Sequence, residues 1–122
     1  MTDGNSTPGR SAPPDRLRDV AAFDGEPVTS TLIAKAVTAG ELAFPDGATQ
    51  VSEPGGGTTY VDHGTRTRGE WYVDREGRFG SYWPPGYRAT YDLRWIVEDG
   101  GIVGLRFEEL RRGAHFDGRY RN

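Results

Sequence analysis

The residues in this chain best placed to do chemistry are acids and aromatic rings. Glu109 follows Leu105 and Phe107 at two-residue steps, so on a β-strand all three point to one side. An acid closing an inward apolar stripe is shielded from water, a setting that suits proton transfer. Glu109 is therefore the candidate catalytic residue, facing Tyr91 across a strand pair. The second candidate is Ser81-Tyr82-Trp83-Pro84-Pro85-Gly86-Tyr87, where two prolines stiffen a loop that carries three rings. Such a loop can rim a cavity and stack on a flat ligand, or it can form a protein-contact patch. The expected ligand-binding set is Trp71, Trp83, Tyr87, Tyr91 and Trp95.

Other chemistries lack their residues. There is no cysteine, which excludes thiolate catalysis, disulfides and thiolate metal sites. The two histidines, His63 and His115, have no partner at metal-ligand spacing, and zinc needs three or four ligands; no metal is expected. A calcium loop starting at Asp74 would need Gly and Glu where Phe79 and Pro85 stand. Gly55-Gly56-Gly57 lacks the lysine and following helix of a phosphate loop, and Gly80-Ser81-Tyr82 lacks the second glycine of a nucleophile elbow. No cofactor is expected.

The elements that must position these residues follow from composition and period. The chain has 122 residues, 34% of them hydrophobic, with 18 glycines and 8 prolines. That length suits one domain with a lean core, and so much turn chemistry suits many short strands. The formal net charge of −3 argues against binding a phosphate backbone, although Arg111, Arg112, Arg119 and Arg121 make the C-terminal hairpin basic. No nucleic-acid partner is expected. No apolar run approaches a membrane span, and no basic-then-apolar leader is visible, so the expected location is cytoplasmic, with no membrane partner.

Residues 1–27 read as a disordered or weakly docked tail with sparse apolar groups. Residues 28–122 read as a single β-barrel-like domain led by one short helix over 29–39. Thr29 or Ser30 would cap that helix, and Gly40 would close it in a left-handed conformation. Beyond Glu41 the period becomes two, giving strands at 42–44, 48–52, 58–62, 69–74, 78–83, 88–98, 102–110 and 114–120. Short turns make successive strands antiparallel neighbours. A three-residue loop at Asp99-Gly100-Gly101 pairs Val97 with Val103, Trp95 with Leu105 and Leu93 with Phe107. One face is then wholly apolar, and the other carries Asp92, Arg94, Arg106 and Glu108. The same reasoning pairs Val73 with Phe79, Trp71 with Ser81, and Phe107 with Phe116, and it turns Val61 inward. The fold class is mainly β: an antiparallel meander of about eight strands forming a small barrel or coiled sheet. Closure removes the exposed edges.

The strand Gly69-Glu70-Trp71 within such a meander resembles the Gly-x-Trp strand of calycins, the lipocalin and streptavidin-type barrels. That resemblance implies a small molecule held in the barrel interior. It transfers no functional residue, because the lipocalin motif lies on the first strand and its Thr-Asp-Tyr partner is absent here. The leading expectation is a protein that binds a small hydrophobic or aromatic molecule in an aromatic-lined cavity. The alternatives are a cofactor-independent isomerase or cyclase of a natural-product pathway using the same cavity through Glu109, and an interaction module acting through the Pro-Pro-aromatic loop, for example as a homodimer.

Overall fold

Residues 13–121 are described by a computed structural model. Eight strands run β1 Glu41–Ala43, β2 Thr49–Ser52, β3 Gly57–Asp62, β4 Thr65–Val73, β5 Phe79–Trp83, β6 Tyr87–Glu98, β7 Gly101–Glu109 and β8 His115–Arg121. Each pairs antiparallel with the next, and β1 pairs with β8 to close the barrel. Closure places Leu42 opposite Tyr120, with Glu41 and Arg121 side by side. Every strand thus has a neighbour on both sides, which is what a short up-and-down meander requires.

Register over β4 to β8 follows the apolar alternation. Trp71 faces Ser81, Val73 faces Phe79, Leu93 faces Phe107, Trp95 faces Leu105, and Phe107 faces Phe116. The outward positions of β6 to β8 form a ladder of ion pairs: Arg94 to Glu108 at 3.0 Å, Arg106 to Asp117 at 2.8 Å and Arg119 to Glu98 at 2.6 Å. Two of the four basic residues of the C-terminal hairpin are thereby partnered, since Arg121 also reaches Glu41 at 3.5 Å.

The β6–β7 turn differs from expectation. Val97 pairs with Ile102 and Glu98 with Gly101, so the loop is the two residues Asp99 and Gly100. Both have positive φ, 51° and 78°, the geometry of the tight hairpin turn that Asp-Gly favours. A bulge between Ile96 and Val97 then absorbs the one-residue shift, so the apolar faces still meet farther along. Turn chemistry and face matching are both satisfied, at different points of the hairpin.

A second difference lies on β2 and β3. Val51 and Val61 share the outer face with Thr59, Arg66 and Arg68. The inward positions are Gln50, Ser52, Thr58 and Tyr60, and fully buried Thr58 accepts hydrogen bonds from Gln50 Nε2 at 2.9 Å while its own hydroxyl reaches Val51 O at 3.2 Å. Val61 is therefore not an inner residue: hydrogen bonding fixes the parity that hydrophobicity would have reversed. β4 also starts four residues before the expected strand. A two-residue His63-Gly64 turn, both residues at positive φ, leads directly into Thr65-Arg66-Thr67-Arg68, whose polar side chains hide the alternation.

One end of the barrel is plugged. A 3₁₀ turn at Ser30–Leu32 runs into the helix α1, Ile33–Val37. Ile33, Ala36 and Val37 are buried against Leu42, Trp95, Leu105 and Tyr120, and the Tyr120 hydroxyl donates to Ala36 O at 2.7 Å. The expected caps are not used. Thr29 makes no side-chain cap bond, and Gly40 is not left-handed; instead Thr38 Oγ1 donates to Ala34 O at 2.7 Å and ends the helix.

Within the segment read as a tail, the turn Asp15–Leu17 packs against α1, and residues 24–27 lie beside β6 where it extends past β5. Leu17 is buried in the same core as α1. Gly25 N donates to Trp95 O, Trp95 N to Glu26 O, and Val28 N to Leu93 O, each at 2.8–2.9 Å. Asp24 Oδ1 accepts from Val97 N at 2.9 Å, the backbone N–H released at the bulge. Backbone pairing, which composition does not report, supplies the docking. The rest of the expected tail, residues 1–12, lies outside the described residues.

Candidate functional site

The end opposite α1 carries the β1–β2, β3–β4, β5–β6 and β7–β8 turns, and it holds an aromatic cavity of about 270 Å³. Small inward residues make the space. Ser81 and Ala89 pair across β5 and β6 and are both buried. Gly69 on β4 has the Trp83 ring against it; a Cβ there would sit 2.5 Å from that ring. This gives Gly69-Glu70-Trp71 a physical meaning. The glycine is a seat for a neighbouring indole, and Trp71 stacks on Phe79 at 6.4 Å while its Nε1 donates to Glu53 O at 2.8 Å.

The rings form a connected wall. Phe79, Tyr91 and Phe107 are mutual neighbours, with centroids 5.6–5.9 Å apart. Phe44 extends this group from Phe107 at 6.0 Å to Tyr60 at 6.4 Å, and Tyr60 meets Trp83 edge-on at 6.3 Å. Phe116 completes the lining at the mouth, where it is 47% exposed. Edge-to-face and tilted pairs are favoured arrangements of neighbouring rings, and here they link the lining residues to one another.

Polar atoms enter at few points. Gln50, Ser81 and Asp46 line the cavity beside the two tyrosines. Ser81 Oγ accepts from Trp83 Nε1 at 3.2 Å. Burial pushes the Tyr91 phenol above its ordinary pKa, with Tyr87 and Glu109 adding to the rise and a hydrogen bond with Ser81 opposing it. Burial also raises Tyr60, helped by the negative charges of Asp46 and Asp62. Both hydroxyls therefore stay protonated at neutral pH and can donate or accept.

Of the five expected ligand-binding residues, Trp83 and Tyr91 line the cavity. Trp71 lies behind Phe79 and packs on the core. Trp95 is 2% exposed in the part of the core that meets α1. Tyr87 is 47% exposed on the β5–β6 side of the rim. Glu109 does face Tyr91 and is buried. Its oxygens, however, accept the backbone N–H groups of Arg112 at 2.7 Å and Arg111 at 3.3 Å, which shapes the β7–β8 turn. Phe79, Ser81, Phe107 and Phe116 line the cavity too, although the sequence marks them mainly as paired strand residues, and Phe44, Tyr60, Gln50 and Asp46 escape the sequence pattern altogether. Three of the last four lie on or beside strands whose inner face is polar, so no apolar stripe marked them; Phe44 immediately follows β1 as its expected end, and only barrel closure brings it to Phe107.

Outside the cavity, Tyr72, Tyr82 and Arg88 form a stack on the outer face. The guanidinium lies 4.5 Å from the Tyr82 ring centre and donates to the Tyr72 hydroxyl at 3.1 Å. Tyr82 in turn donates to Pro85 O at 3.0 Å, tying down the Pro-Pro loop. His63 pairs with Asp62 in the β3–β4 turn at 2.9 Å. Among the described residues, no group of three or more His, Asp or Glu side chains could hold a metal ion, and no helix is long and apolar enough to cross a membrane. Comparison of the chain with protein-family models, with curated proteins and with solved structures found no match, so a functional reading has to stand on the cavity itself.

Proposed function

We propose that this protein binds a small hydrophobic or aromatic molecule in the cavity at the open end of the barrel. The observation that carries the reading is the cavity of about 270 Å³, walled by connected rings and holding a few polar atoms. Ligand sites are concave, mostly apolar and sparsely polar, with volumes of roughly 300–1,000 Å³, and this one falls just below that range. An aromatic occupant of up to three rings is of matching size. Ser81 places a small side chain among large rings and leaves the space open, while Gly69 lets the Trp83 ring lie back against β4.

The other two expectations have less behind them. An isomerase or cyclase needs a free acid in the cavity, and the Glu109 oxygens are engaged by turn amides. An interaction module would use the Pro-Pro loop, of which Tyr82 is bonded to Pro85, Trp83 is turned inward and Tyr87 stays exposed.

The test is fluorescence titration with N-phenyl-1-naphthylamine, a neutral apolar probe. Enhanced emission and energy transfer from Trp83 are expected, saturating at one probe per chain. Ser81→Leu, which projects a larger side chain into the space, should remove the response with the thermal midpoint nearly kept. Phe116→Ala at the mouth should weaken it. Saturable binding of equal strength in Ser81→Leu would place the probe elsewhere and reject the reading.

A further inference from the structure

We infer that the cavity selects an organic cation, a molecule whose aromatic or aliphatic body carries an ammonium group directed at the Asp46 side of the mouth. This rests on the binding reading above and names its ligand class. Two observations combine to carry it. The first is the electrical character of the wall. Seven of the ten lining residues are Phe, Tyr or Trp, and the one formally charged residue among them is the acid Asp46. No Lys or Arg lines the cavity among the described residues. Ring faces present negative quadrupole potential, which attracts ammonium groups and repels carboxylates.

The second observation concerns the surroundings. The charges acting on the two cavity hydroxyls are acidic: Asp46 and Asp62 on Tyr60, and Glu109 on Tyr91. Four arginines of the barrel, Arg78, Arg94, Arg106 and Arg119, are held on the outer face in pairs with Asp92, Glu108, Asp117 and Glu98. Arg111 and Arg112 lie in the β7–β8 turn at the same end, but neither lines the cavity. Asp46 uses Oδ1 to accept the Ala48 N–H at 3.0 Å in the β1–β2 turn, which holds the carboxylate in place beside the cavity. An anion entering the cavity would lose hydration and meet ring faces and one carboxylate, with no cationic side chain in the lining. A cation would exchange its hydration for ring faces and one carboxylate.

Calorimetry at low ionic strength with three probes of one shape tests the inference: 2-naphthylmethylammonium, 2-naphthalenemethanol and 2-naphthoate. The expected order is ammonium about tenfold tighter than the alcohol, with naphthoate not binding, and the preference shrinking as salt is added. Asp46→Asn keeps the oxygen that accepts from Ala48, so the turn should survive. It should lower ammonium affinity to within about threefold of the alcohol and leave alcohol binding unchanged. Glu70→Gln changes net charge equally but lies outside the cavity on β4, and it should leave the preference intact. Alcohol and naphthoate binding as tightly as the ammonium would overturn the cation inference while sparing the binding site. The same holds if Glu70→Gln erodes the preference as much as Asp46→Asn. If none of the three binds, both readings fall together.

Discussion

On β6, β7 and β8 the inward positions hold Leu93, Trp95, Leu105, Phe107 and Tyr120, and the outward positions hold paired charges. On β2 and β3 the inward positions hold Gln50, Ser52, Thr58 and Tyr60, while Val51 and Val61 face out. One barrel thus contains two kinds of wall. The first is stabilised by burial and packs against α1. The second is held by a small hydrogen-bond network around Thr58; both border the cavity, the first through Tyr91, Phe107 and Phe116 and the second through Gln50 and Tyr60. The contrast suggests a division of labour. The apolar wall sets stability, and the polar wall leaves volume and hydrogen-bonding groups for an occupant, at the cost of contributing less to the core.

Substitutions in the two walls should break this contrast or sharpen it. Leu105→Ala removes a fully buried side chain from the apolar wall and should cost about 2–5 kcal/mol in urea unfolding. A loss below about 1 kcal/mol would mean that β7 does not carry the core. Thr58→Val keeps the shape but deletes the hydroxyl that Gln50 and Ser52 use. With the half-buried Gln50 amide and Ser52 hydroxyl deprived of this partner, the expected loss is about 0.5–1.5 kcal/mol. A gain in stability would show that apolar packing is preferred there and that the network is incidental.

Smaller effects follow on the outer faces. A hydrogen bond and charge from Arg106 hold the Asp117 carboxyl below the usual carboxylate range, against the opposing effect of burial. Its folded pKa is depressed, so its contribution is complete above the ordinary value of about 3.9 and is lost as pH falls through the folded pKa. The pair is partly exposed, at 45% and 35%, so Asp117→Asn should remove less than about 1 kcal/mol at neutral pH and flatten the acid-side decline. An unchanged pH profile between this variant and the parent would remove the pair from the stability account. Val61→Thr comes last. On an outward position it should change stability by no more than about 0.5 kcal/mol, and a loss of core size would return Val61 to the interior.

The same contrast explains what could be read without coordinates. Hairpins whose two faces differ in polarity announce their own register, so Trp95 opposite Leu105 and Phe107 opposite Phe116 were legible, as were eight strands and a leading helix. Where both faces are mixed, alternation carries no sign. Val61 was turned the wrong way because a buried Thr-Gln-Ser network looks like a surface. Asp99-Gly100 is a strong tight-turn signal that face matching overruled, since a bulge at Ile96 and Val97 cannot be seen in a pattern. For the site, Trp83 and Tyr91 were legible as rings near a stiff loop. Phe44, Tyr60 and Asp46 depend on β1 meeting β8 and on the parity of β3, which are long-range facts.

The most direct test of the central claim is amide chemical-shift mapping during titration with N-phenyl-1-naphthylamine. The account requires saturable shifts at Phe44, Tyr60, Ser81, Trp83, Tyr91 and Phe107, with α1 and the outer face around Val51 and Val61 unmoved. Shifts centred on Val51 and Val61, or on Ile33–Val37 with the open end silent, would contradict it.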